Sequence, residues 1–174
     1  MPPRKPRGRV LKDDTQVSGH MLEHALDAIG RRVTLDRKHD IPYLAGYSRD
    51  GKIIYIDRHL PRWFRTGGRR VNVDRFLILH EAVEKTLLAR LELHYQHAHQ
   101  IALRAEEAAV RAAGVSWREY DRFMQQFIKE AGDEKLTRLP VDLDIKPYRD
   151  EHDHDLLIRM QQAIRREKAA AKRR

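Results

Sequence analysis

The sequence predicts an α+β fold, a small antiparallel sheet or hairpin followed by a mainly helical core. Three observations carry that expectation. Two β-rich runs within Tyr43–Asp57 flank Asp50-Gly51, a strong hairpin signal. From Asp74 onward apolar residues recur at helical spacing, with Ser, Gly and Pro marking the breaks. The 174 residues hold no internal repeat, and that length suits one domain with a real core.

A basic, Pro- and Arg-rich tail is expected over 1–12. The first helix is predicted from Asp14 or Thr15 to Gly30, with Met21, Leu22, Ala25, Leu26 and Ile29 on its apolar face and Gly30 as its cap. Val33 to Leu35 is a short strand candidate. The hairpin follows, and His59-Leu60-Pro61 ends its second strand. Residues 62–73 read as a basic loop with Gly67-Gly68. Asp74 is the expected cap of the next helix, whose face carries Phe76, His80, Val83, Leu87 and Leu91, joined by Leu77, Glu84 and Leu88. A break near His94–Gln96 leads into an Ala-rich helix ending at Gly114. Ser116-Trp-Arg-Glu119 is a capping box that opens a helix to about Ala131. Leu139 to Tyr148 reads as extended, and a last helix is expected from about Asp153. The domain reading is therefore a tail at 1–12, one domain over 13–158 and a basic helix or tail over 159–174.

Composition excludes several classes. The chain has no cysteine, so disulfides and thiolate metal sites are ruled out, and any metal must be held by His, Asp or Glu. No apolar run approaches the about 18 residues of a membrane span. The basic N-terminus has no apolar block behind it and does not read as a secretory signal, so the expected location is cytoplasmic. The net charge of +9 sits at the ends, with +5 in 1–12 and +6 in 159–174, leaving −2 on the body. Such tails can touch nucleic acid, although no aromatic residues interleave with their charges.

His80-Glu81-Ala82-Val83-Glu84 is the informative segment. On a helix, residues i and i+4 are about 40° apart, so His80 and Glu84 project side by side among core residues. Buried imidazole and carboxylate must be paired or must coordinate something. On the next helix, His99 and Glu106 lie about 20° apart on the apolar face, while His97 and Glu107 fall on the polar side. Alanines at 98, 102, 105, 108, 109, 112 and 113 allow close helix approach. His80, Glu84 and His99 would supply the three ligands of a catalytic zinc, with Glu106 as a fourth ligand or as an acceptor that fixes a ligand tautomer. Glu81, about 100° around from His80, could reach a water on the ion as a general base.

This segment resembles the active-site helix of the zincin metallopeptidases, whose motif is His-Glu-x-x-His. Glu84 stands where the second His would be. The resemblance spans about residues 40–110. It implies a zincin-like core, Glu81 as base, a third ligand from a downstream helix at His99, and an edge strand within Tyr43–Asp57 that can bind an extended peptide. It also implies a zinc-dependent hydrolase, peptidase-like, using metal-activated water on a peptide or protein substrate.

Other readings compete. Two His and two Glu on antiparallel helices could form a di-metal carboxylate site, though its usual Glu-x-x-His order is reversed here. A non-enzymatic nucleic-acid- or protein-binding module could use the tails and Arg62, Arg65, Arg69 and Arg70, with a degenerate or structural metal site. Glu151-His152-Asp153-His154-Asp155 is a weaker metal candidate, better read as an acidic helix start. Tyr95 and Tyr148 could help stabilise an oxyanion. His20, His24, His39 and His59 have no site-like spacing.

Overall fold

Each strand of the sheet alternates its side chains between two faces, and each face is covered by a different part of the chain. The computed structural model describes residues 14–133, 136–150 and 154–173. The expected tail at 1–12 and residues 151–153 of the His/Asp run lie outside them. The strands are β1 (Thr34–Asp36), β2 (Ala45–Tyr47) and β3 (Ile53–Ile56), in the order β1-β3-β2. β2 and β3 are antiparallel, as the hairpin signal predicts, and Gly51 takes the left-handed φ of 71° in their turn. β1, however, runs parallel to β3, with Leu35 opposite Ile54, so the sheet is mixed. That pairing joins strands separated by the whole β2 excursion, and no local pattern encodes it.

Ile54 and Ile56 of β3 and Ala45 and Tyr47 of β2 face the helical core with Phe76, Leu77 and Val110. Tyr55 points to the opposite face, among Leu139, Leu143, Tyr148 and Met160. Gly46 shares that face, where a Cβ would lie 3.1 Å from both Leu143 Cδ1 and Tyr148 Oη. A glycine is needed here to let the C-terminal segment close on the sheet.

Residues 62–73 are not a loop. β4 (Trp63–Thr66) and β5 (Arg69–Asn72) form a second hairpin with Thr66 opposite Arg69. Gly67 and Gly68 have φ of 53° and 74°, the pair of positive values that a tight two-residue turn requires. Arg70 lies over the Trp63 ring at 4.7 Å, and Arg69 Nη2 donates to the carbonyls of Ala113 and Gly114. Thr66 donates its hydroxyl proton to Glu119, fixing the hairpin to the start of a later helix.

The helices are α1 (Asp14–Gly30), α2 (Asp74–Arg90), α3 (Tyr95–Ala112), α4 (Trp117–Asp133), α5 (Lys146–Asp150) and α6 (His154–Ala171). Leu26 anchors α1, while Met21, expected on the same face, is exposed. Val73 takes the cap position of α2 without a side-chain bond. Asp74 is instead its first residue and pairs with Arg37 at 3.3 Å and Arg62 at 3.0 Å. Leu91 lies past the end of α2 and is exposed, not part of its apolar face. Ala98 and Ala102 are fully buried, and these small residues let α3 lie close to α2. α3 ends at Gly114 (φ 70°), where Val115 N–H donates to Val110 C=O and Gly114 N–H to Arg111 C=O. The segment expected to be extended through Tyr148 turns helical at Lys146, so Tyr148 sits on α5. α6 buries Met160 and Ala163, so the basic C-terminal helix also contributes to the core. No helix among the described residues is long and apolar enough to cross a membrane.

Asp40 ties the C-terminal segment to the sheet. Its buried carboxylate accepts from Arg58, from the N–H and hydroxyl of Thr137 and from the N–H of Arg138. Burial pushes its pKa up, but the bonds from Arg138, Thr137 and Arg58 outweigh that and hold it below the ordinary carboxylate value. A folded-state pKa below the unfolded one stabilises the protein above the unfolded value, and the gain disappears as pH falls through the folded one. Asp40→Asn should therefore cost about 2–3 kcal/mol at pH 7 in urea unfolding. The gap from wild type should shrink as pH falls below the ordinary carboxylate range and Asp40 takes up its proton, leaving both with a neutral group at this position.

Candidate metal centre

α2 and α3 form a helical hairpin joined by residues 91–94, so inward residues of one face those of the other. This places His80 and Glu84 of α2 against His99 and Glu106 of α3. His80, Glu84 and Glu106 are buried, while the His99 side chain is 35 % exposed at the mouth of a cavity of about 200 Å³.

Three donor atoms converge. His80 Nε2 is 3.2 Å from His99 Nδ1, His99 Nδ1 is 3.0 Å from Glu84 Oε2, and Glu84 Oε2 is 3.6 Å from His80 Nε2. A tetrahedral ion with bonds of about 2.0–2.1 Å separates its ligand atoms by about 3.3 Å. The triangle therefore has the dimensions of one face of a zinc coordination sphere, and among the described residues only His80, Glu84 and His99 form such a group.

Glu106 lies behind this triangle. Its Oε2 accepts from His80 Nδ1–H at 2.8 Å, on the ring edge opposite the convergent nitrogen. The geometry gives Glu106 the orienting role, not the ligating one. With the Nδ1 proton committed to Glu106, His80 Nε2 is the nitrogen that faces the centre and would offer its lone pair to an ion in place of a proton. Tyr120 of α4 donates to Glu106 Oε1 at 2.6 Å, and Tyr47 of β2 donates to Glu84 Oε1 at 3.3 Å. The Tyr95 ring stacks on His99 at 5.6 Å. His80 and His99 are thus held from α3, and Glu84 from β2.

The electrostatics call for positive charge. Burial pulls the pKa of His80 down, yet the bonds to Glu106 and Glu84 and the charges of Glu106 and Glu81 raise it well above the ordinary histidine value. Burial raises Glu84, but the bonds and charges of His80 and His99 leave it below the ordinary carboxylate value. Glu81 is different. Burial and the Glu84 charge push it up to about 8, against the pull of His80 and with a further push from Glu106. It lines the cavity, and no hydrogen bond holds it among the described residues.

The helical-face angles separate the right residues from their neighbours. His97 is exposed, and Glu107 pairs with Arg111 on the surface at 2.7 Å. Tyr47 and Tyr120 escaped the sequence reading. Tyr47 has a legible signal in strand alternation, which points it to the same face as Ala45; the Tyr120–Glu106 bond joins separate helices and has no local signature. Tyr95 and Tyr148 both line the cavity. Tyr148 Oη lies 3.3 Å from the carbonyls of Pro42 and Ala45, and burial holds its pKa well above the ordinary tyrosine value. Preceding β2, Tyr43 and Leu44 adopt left-handed φ of 58° and 76°. Such values are costly for non-glycine residues, by about 1–3 kcal/mol each, and they cluster at functional sites.

His80→Ala and His99→Ala should each abolish high-affinity zinc binding measured by competition with a chromophoric chelator, while His97→Ala should leave it unchanged. Glu106→Gln and Tyr120→Phe should keep the stoichiometry and weaken affinity by about 10–100-fold for the first and less for the second, since both act through the orientation of His80. Equal effects of His97→Ala and His99→Ala would remove the triangle from metal binding.

No family model, curated protein or solved structure matches the chain.

Proposed function

We propose that this protein is a zinc-dependent hydrolase of the zincin-like, peptidase type, with His80, Glu84 and His99 as ligands and Glu81 as general base. The observation that carries the reading is the donor triangle of 3.0, 3.2 and 3.6 Å, whose sides match a tetrahedral edge. The set is open on one side, because the cavity adjoins it and Glu106 is engaged behind His80. Three protein ligands with an open position distinguish a catalytic from a structural zinc.

Zinc bound there would supply Lewis acidity and make water a better nucleophile near neutral pH. The chain's residues do the rest. Glu81, buried beside the ligands and unpartnered, takes a proton from the attacking water. It returns that proton to the leaving nitrogen, so an amide and water give a carboxylic acid and an amine. Glu106 and Tyr120 keep His80 in one tautomer, and Tyr47 fixes the carboxylate of Glu84. Glu84 in place of a neutral imidazole lowers the charge of the centre, which favours a less acidic bound water than an all-histidine set would give.

The edge strand is arranged differently from an open peptide-binding edge. Asp144 N–H donates to Tyr47 C=O at 2.9 Å, Arg49 N–H donates to Asp142 C=O at 2.9 Å, and Ser48 bridges Leu143. Tyr148 Oη covers the Ala45 carbonyl. The chain's own residues 142–148 therefore sit where an added strand would pair. This supports a compact substrate over a long extended one. The nucleic-acid reading draws little from the second hairpin, since Arg62, Arg69 and Arg70 are engaged with Asp74, the end of α3 and Trp63.

Protein purified without a histidine tag should carry about one equivalent of zinc per chain by elemental analysis. Removing it with a chelator should lower the melting temperature, and re-adding zinc should restore it. Glu81→Gln should retain zinc and lose hydrolysis of short amide substrates by at least about 100-fold. Zinc-free protein under zinc-replete purification would overturn the metal centre; full activity in Glu81→Gln would remove Glu81 as base.

A further inference from the structure

We infer that the substrate group entering this cavity is small and positively charged, an ammonium or guanidinium. The inference rests on the metal centre proposed above and specifies what that site accepts.

The first observation is the charge of the walls. Five carboxylates line the cavity, from Glu81, Glu84, Glu106, Asp121 and Asp144, and no lysine or arginine does among its described lining residues. Four of them have assigned work. Glu84 and Glu106 are bonded to the histidines, Asp144 is paired with Lys85 at 2.8 Å, and Glu81 is the proposed base. A divalent ion with neutral histidines would balance Glu84 and Glu106 and nothing more. Asp121 is left without an ion pair among the described residues; the Gln125 side-chain amide donates to it at 3.3 Å. The second observation is Glu81, 7 % exposed and lining the same space, with no ion pair among the described residues.

The third observation is aromatic. Trp117 and Asp121 stand one turn apart on α4 and line the same wall. The Trp117 ring is 5.5 Å from that of Tyr120. A carboxylate beside an aromatic face suits a cation, which gains from the ion pair and from the ring quadrupole together. Size sets the last limit. About 200 Å³ is below the usual volume of a drug-sized site and holds one side-chain-sized group. The edge of β2 is already occupied by residues 142–148, so an extended chain has no free strand to join. A short amide bearing a charged nitrogen on a flexible arm meets all these conditions.

Zinc-loaded protein can be titrated with three metal-chelating probes of equal length: 6-aminohexanohydroxamate, heptanohydroxamate and the monohydroxamate of pimelic acid, which end in ammonium, methyl and carboxylate. The ammonium probe should bind about tenfold more tightly than the methyl probe, with the carboxylate probe weakest. Asp121→Asn should cut that advantage to about threefold or less with zinc stoichiometry unchanged. In the wild-type chain, raising salt from about 20 mM to about 500 mM should erode the advantage and leave the methyl probe unaffected. Equal binding of the three probes to zinc-loaded protein, or a preference that survives both Asp121→Asn and high salt, overturns the inference while leaving the metal centre standing. A chain that takes up no zinc overturns the functional reading and this inference with it.

Discussion

Burial of acidic side chains between α2, α3 and the sheet is the constraint around which the fold is built. Moving a carboxylate out of water costs several kcal/mol unless donors replace its hydration. Glu84 and Glu106 obtain those donors from four elements. His80 comes from α2, His99 from α3, Tyr47 from β2 and Tyr120 from α4. Each of these elements also contributes apolar residues to the same core, so displacing one would strand a buried charge as well as open a void. The polar cluster therefore ties the sheet, the helical hairpin and α4 to a single relative placement. Glu81 has no such donor among the described residues, and burial together with the Glu84 charge gives it its protonated tendency.

The arrangement around His80 explains why a proton and a cation compete for one point. Glu106 fixes the outer nitrogen, and the inner nitrogen then faces Glu84 and His99. Without an ion, a proton shared among His80 Nε2, His99 Nδ1 and Glu84 Oε2 can satisfy the short contacts. With one, all three atoms offer lone pairs. Metal binding at such a site releases protons and stabilises the folded chain, because the unfolded chain cannot assemble the triangle.

Local periodicity made much of this legible. A rotation of 100° per residue separates His99 from His97 and Glu106 from Glu107, and the structure puts the first of each pair inward. The Asp50-Gly51 turn and the Gly114 helix end were legible for the same reason, since each needs a left-handed residue at a fixed place. Long-range pairings were not legible. The parallel match of Thr34 to Ile53 spans an intervening strand. The role of Glu106 depends on which nitrogen of His80 it meets, a matter of ångströms that angular counting does not resolve. The β4–β5 hairpin had its signal in Gly67-Gly68, but the arginines around it read as solvated charge when three of them make specific contacts.

Bulk charge is a poor guide to what this protein binds. A net charge of +9 suggests an anionic partner, yet most of that excess lies in the terminal segments and the body carries a small negative balance. Inside the cavity the imbalance is sharper, because low-dielectric walls strengthen the field of each carboxylate and, among the described residues, no lysine or arginine lines them. The surface arginines near Gly67-Gly68 are spent on Asp74, Trp63 and the carbonyls that end α3, where they hold the hairpin to the helices. On the proposed reading, the same acidity that would draw a divalent cation would act on whatever follows the ion into the cavity. On that reading, once an ion balances Glu84 and Glu106 the residual field would come from Asp121, so selection of the metal and selection of the substrate's charge would have a common physical origin.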